Sequence, residues 1–191
     1  MLVLVSCSDT IDGRPAQPTS QSPRGDTTTG QVPGPGVPKV LTPVDVSRFK
    51  QNPCNALTST QISDLLGPHA RVKPDLKSPA GPSCGWLSLA TIQVAVPNVD
   101  DLGLTSIYRS RGGIYPFFLP LAPVNGLPAV AYGQDDSRAS RGECDVAVGV
   151  SDRETIEVSV RQSPENKGKE DPCESARKVA EKILGNLPGA R

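Results

Sequence analysis

The sequence predicts an α+β fold: an antiparallel sheet of about four to six strands with helices on one face, stapled by two disulfides. Three observations predict it. Residues 145–161 hold two runs of alternating apolar and polar side chains joined by a short polar turn. The C-terminal segment carries an apolar stripe at helical spacing. Four cysteines, Cys54, Cys84, Cys144 and Cys173, are spread through the part of the chain that holds most of its large apolar residues.

The first helix is expected over residues 58–66. Thr58 with Gln61 three residues on is a capping-box pattern, Ile62, Leu65 and Leu66 form one apolar face, and Gly67-Pro68 ends the run. Residues 84–89 and 91–96 read as strand, the second with a period of two, and Pro97-Asn98 stops it. A short helix follows over 102–108, and residues 124–132 read as a turn leading into a strand. In the hairpin, Val146, Val148 and Val150 alternate with Asp145, Ala147 and Gly149, while Ile156, Val158 and Val160 alternate with Thr155, Glu157, Ser159 and Arg161. One apolar face per strand means a sheet covered on a single side. The cover is the last helix. Asp171-Pro172-Cys173-Glu174 offers an N-cap, a first-turn proline and a carboxylate at the positive end of the dipole. Ala176, Val179, Ala180, Ile183 and Leu187 make its stripe.

Removing Cys7 from the five cysteines leaves four, and in an exported domain four read as two disulfides with three pairings open. Zinc needs close ligand pairs, whereas every gap here is about 30 residues or more. Cys144 shares parity with Val146 and Val148, so its thiol points to the covered face, and Cys173 starts the covering helix. A Cys144–Cys173 bond follows from that geometry and Cys54–Cys84 by elimination. Each is worth roughly 3–4 kcal/mol in the chain-entropy model.

Composition divides the chain. It has 20 Pro and 18 Gly in 191 residues with 36% hydrophobic, and the segment 8–47 is rich in Pro, Thr, Ser and Gly. Such a segment has too little apolar surface to offset its ordering entropy, so 8–47 reads as a disordered stalk and 48–191 as one globular domain. Ahead of the stalk, Leu4-Val5-Ser6-Cys7 resembles a bacterial lipobox: apolar, permissive, small, then the cysteine that takes the lipid. Residues 1–7 read as the end of a truncated signal peptide, with Cys7 acylated. Two or three acyl chains give lasting attachment where one does not. The expected place is the cell membrane, lipid-anchored on its extracytoplasmic face.

The ordered set of motifs resembles a known family. Asn52-Pro53-Cys54-Asn55-Ala56-Leu57-Thr58, Cys84-Gly85-Trp86, Gly126-Leu127-Pro128-Ala129-Val130, Cys144-Asp145-Val146 and Pro172-Cys173-Glu174-Ser175-Ala176 are similar to the actinobacterial cell-surface lipoproteins of the domain of unknown function 3558 family. The resemblance covers about residues 50 to 188. It implies a surface lipoprotein, and it brings no reaction, ligand or catalytic residue.

Lys+Arg and Asp+Glu both number 20, for zero formal net charge, which argues against nucleic acid as a partner. No run of 18 apolar residues follows Cys7 to span a bilayer. His69 is the single histidine and reads as a surface loop residue; Trp86 reads as core beside Cys84. The candidate binding surface is Tyr115, Phe117 and Phe118 in the most apolar run of the domain, flanked by Arg109 and Arg111. Arg138, Arg141, Asp135 and Asp136 lie nearby as a mixed-sign loop, with too few oxygens for calcium. No catalytic, cofactor or metal constellation is read. The expected function is a non-enzymatic binding or accessory module facing an envelope protein, lipid or wall polymer. The alternatives are an envelope hydrolase or transferase, drawing on His69 or Asp135 and Asp136, and a sensor or assembly factor for an envelope complex.

Overall fold

The computed structural model describes residues 31–98 and 101–187. Among the described residues there are seven strands: β1 (Arg71–Asp75), β2 (Ser83–Leu87), β3 (Thr91–Ala95), β4 (Phe117–Val124), β5 (Leu127–Gly133), β6 (Glu143–Gly149) and β7 (Thr155–Arg161). They form one antiparallel sheet in the order β1-β2-β3-β7-β6-β5-β4, one strand more than the upper expectation. The expected hairpin is β6–β7, with Val146 opposite Val158 and Val148 opposite Ile156, so both apolar sets share a face. Strands β4 and β5 turn at Asn125-Gly126, whose φ values of 50° and 80° suit the tight hairpin turn that Asn-Gly favours.

Helix α1 (Ser47–Gln51) and a 3₁₀ turn (Pro53–Ala56) lead into α2 (Ser59–Leu66). The capping box of α2 is complete. The Thr58 N–H donates to Gln61 Oε1 at 2.9 Å, and the Gln61 N–H to Thr58 Oγ1 at 3.2 Å. Helix α5 (Pro172–Gly185) lies across β6 and β7. Its buried residues Ala176, Val179, Ala180, Ile183 and Leu184 share one core with Val146, Val148, Ile156 and Val158. Both disulfides are the pairs read from the sequence, Cys54–Cys84 and Cys144–Cys173, with Cα–Cα distances of 5.1 and 5.0 Å.

Two features differ from the sequence reading. The second face of the sheet is partly covered: α3 (Leu104–Arg109) packs with Val37, Tyr115 and Phe118 over Val130, Tyr132 and Ala147, the residues alternate to those under α5. The domain also begins earlier than 48. Gly34 N–H donates to Thr105 Oγ1 at 3.1 Å, Val40 N–H to Asp152 Oδ1 at 2.8 Å and Val44 N–H to the Val150 carbonyl at 2.8 Å, and Val40 and Val46 are buried. Backbone donors make these ties, so a Pro- and Gly-rich composition does not forbid them. Cys7 and the remainder of the expected stalk, 8–30, lie outside the described residues. Among the described residues no helix is long and apolar enough to cross a membrane.

Candidate functional site

The five residues read from sequence as a binding surface do not form one patch. Strand alternation sends Phe117 to the α5 side of β4 and Phe118 to the other. Phe118 meets Tyr108 edge-on with ring centroids 4.9 Å apart, and the Arg111 guanidinium sits 4.9 Å from its centroid. Tyr115 packs edge-on against Tyr132 at 4.8 Å, and Arg138 lies 5.0 Å over Phe117. Arg109 Nη2 donates to the Gln31 carbonyl at 3.4 Å. Each of these aromatic rings is engaged within the chain, and such contacts hold an edge strand in place.

The residues named for a catalytic alternative are not brought together. His69 is exposed in the turn before β1, at one margin of the sheet. Asp135 and Asp136 stand beside α4 (Arg138–Arg141), just ahead of β6. Four strand spacings separate β1 from β6, about 20 Å at ~4.8 Å each. Asp136 accepts two bonds from the Arg138 guanidinium at 2.8 and 2.9 Å and one from its backbone N–H at 3.2 Å, and Asp135 accepts from Arg141 at 3.0 Å and from Ser137 Oγ at 3.1 Å. Those arginine contacts hold both carboxyls below the usual range. Trp86 is fully buried between its register partners Val72 and Ile92, and its Nε1 has no hydrogen-bond partner among the described residues.

A carboxylate patch that the sequence reading did not single out lies on the second face. Asp145 stands opposite Ser159 on β7 and opposite Tyr132 on β5, while Glu157 is paired with Ala147. Burial pushes the Glu157 carboxyl up, the Tyr132 phenol opposes the rise and Asp145 adds to it. Partial desolvation on the sheet face raises the Asp145 carboxyl as well, against the Ser159 hydroxyl and with repulsion from Glu143. Desolvation, followed by these two carboxylates, holds the Tyr132 phenol far above the ordinary tyrosine range.

A recess lies at the end of the sheet, between α2, the β2–β3 turn, the end of β7 and α5. Its volume is about 300 Å³, at the lower end of the ~300–1,000 Å³ of small-molecule sites. The floor is apolar: Leu65 and Leu66 from α2, Ile92 from β3, Val160 from β7 and Val179 from α5. Ser175, Lys178 and Val179 reach it together because positions i, i+3 and i+4 share a helix flank. The ionisable rim is Arg161, Lys169, Lys178 and Glu170, three cations against one carboxylate. Arg161 approaches Glu143 only to 3.8 Å, and neither lysine forms an ion pair among the described residues. Glu174, next along α5, is gripped by Arg177 at 2.7 and 2.8 Å. On the wall, Gln162 donates through Nε2 to the Glu170 carbonyl at 3.0 Å, and its buried Oε1 has no hydrogen-bond partner among the described residues. The lining comes from segments some 100 residues apart, so no local motif announces it.

The architecture defines a disulfide-braced α+β sheet domain with α5 over one face, α3 over part of the other and a cation-rimmed cleft at its end. The chain belongs to the family described as Protein of unknown function (DUF3558), whose model matches residues 2–186. That match takes in the segment ahead of residue 50 as well as the sheet domain. Searches of curated proteins and of solved structures found no match.

Proposed function

We propose that this protein is a non-enzymatic binding module of the cell envelope, tethered to the membrane by lipid on Cys7 and working on its extracytoplasmic side. The cleft between α2 and α5 is its working surface. The observation that carries the reading is an apolar floor rimmed by two lysines that form no ion pair among the described residues, since packing alone has no need of that rim. Two disulfides in one small domain suit an oxidising compartment, in keeping with export. The lipobox pattern at residues 4–7 supports the anchor.

Two measurements on the full chain test this. In the native host, an alkyne fatty acid is expected to label the wild type in the membrane fraction and to leave Cys7→Ser unlabelled and released; equal labelling would sink the anchor. Native mass spectrometry of the wild type is expected to show a bound small-molecule mass that Leu66→Glu lacks. Retention of the same mass by that variant would place binding elsewhere.

A further inference from the structure

Resting on the reading of the α2–α5 cleft as a binding site, we infer its ligand class: a single-chain amphipathic anion, an alkyl group ending in phosphate or carboxylate. The floor and the rim divide the ligand between them. Leu65, Leu66, Ile92, Val160 and Val179 offer aliphatic carbon without an aromatic ring, which suits a flexible chain better than a planar one. A recess of about 300 Å³ has room for one short chain and not for a two-chain lipid or a folded polymer.

The headgroup follows from charge. Lys169 sits in the loop after β7 and Lys178 on the exposed flank of α5; neither forms an ion pair among the described residues, Lys178 acting on Glu174 only at longer range. Arg161 closes the third side at the end of β7, more than half exposed and only loosely engaged by Glu143. The one lining carboxylate, Glu170, leaves a net charge of +2 from three cations and one anion. An anionic head meets complementary charge there while its chain leaves water, and a cationic head meets repulsion. Ser163, Asn166 and Ser175 add neutral hydrogen-bonding groups at the same mouth.

The test uses the full chain carrying Cys7→Ser, titrated calorimetrically with decyl phosphate, decanoate, decanol, decyltrimethylammonium and inorganic phosphate, each below its micelle threshold. Decyl phosphate and decanoate are expected to bind one to one, with decanol and the ammonium about tenfold weaker or worse and no binding by inorganic phosphate. Lys169→Gln with Lys178→Gln is expected to weaken the two anions about tenfold and to leave decanol unchanged. Both lysines are exposed, so the fold survives the change. If decanol or the ammonium binds as tightly as decyl phosphate, the anion assignment is wrong while the cleft stands. Inorganic phosphate matching decyl phosphate removes the apolar part of the claim. Binding of no probe removes both the ligand class and the cleft as a site for small amphiphiles.

Discussion

Cys144 and Cys173 are bonded across 29 residues, joining β6 to the first turn of the helix that lies on it. The bond therefore fixes α5 over the sheet at one end of the shared core. Replacing both cysteines by Ala is expected to lower stability by about 3–4 kcal/mol through the freed unfolded chain. Urea titration under non-reducing conditions reads this directly, and an unmoved midpoint would show that packing alone holds α5.

The same turn carries a second, smaller contribution. The Asp171 carboxylate accepts from the Cys173 N–H at 2.8 Å, satisfying one helix-end donor, and also meets Arg138 Nη1 at 3.3 Å. Asp171→Ala is expected to cost about 1 kcal/mol, with Asp171→Asn avoiding most of that loss because it keeps the capping oxygen. Equal destabilisation by both variants would assign the effect to the Arg138 contact instead.

How much of this was legible depended on where each residue's partner lies. The β6–β7 hairpin, the cap of α5 and the Asn125-Gly126 turn each rest on neighbours a few residues away, so their patterns stand in the sequence. Strand β1 pairs only with β2 and buries none of its five residues, with Pro74 as the fourth of them, so no alternation marks it. The segment from Gln31 to Val46 is held largely by backbone donors, which composition does not encode. The aromatic run around Phe117 and Phe118 was visible, but its division between two faces comes from the pairing of β4 with β5. The cleft joins Leu65 and Leu66 to Lys169 and Lys178, and only the completed sheet brings those segments together.

Glu157 gives the domain a pH dependence whose sign can be worked out. Its folded carboxyl is raised by burial, so the native state holds the proton more tightly than the unfolded chain does. Between the ordinary carboxylate pKa of ~4.3 and the raised folded value, the unfolded state binds fewer protons and stability falls as pH rises. Asp145 acts in the same direction. Exposed Asp135, Asp136 and Glu174 are shifted the other way by their arginines, and solvent screening weakens that contribution. Glu157→Gln keeps the size of the side chain and removes the titration. The variant is expected to melt higher than wild type at pH 7 and to converge with it near pH 4. A variant that melts lower at pH 7 would mean the ionised carboxylate stabilises the patch.

Trp86 offers a sharper test of packing, because its ring and its nitrogen act in opposite directions. The side chain is wholly buried beside the Cys54–Cys84 bond, and burial of so large a ring is worth several kcal/mol; Trp86→Ala is expected to cost about 3–5 kcal/mol. Its Nε1 donor, however, is buried without an acceptor among the described residues, a penalty on the order of 1–3 kcal/mol. Trp86→Phe removes that donor together with part of the ring, so the lost packing and the relieved penalty offset each other. The Phe variant is expected within about 1 kcal/mol of wild type in urea unfolding, far from the Ala variant. A Phe variant as unstable as the Ala one would mean that the indole nitrogen is satisfied in solution and that the whole ring is needed.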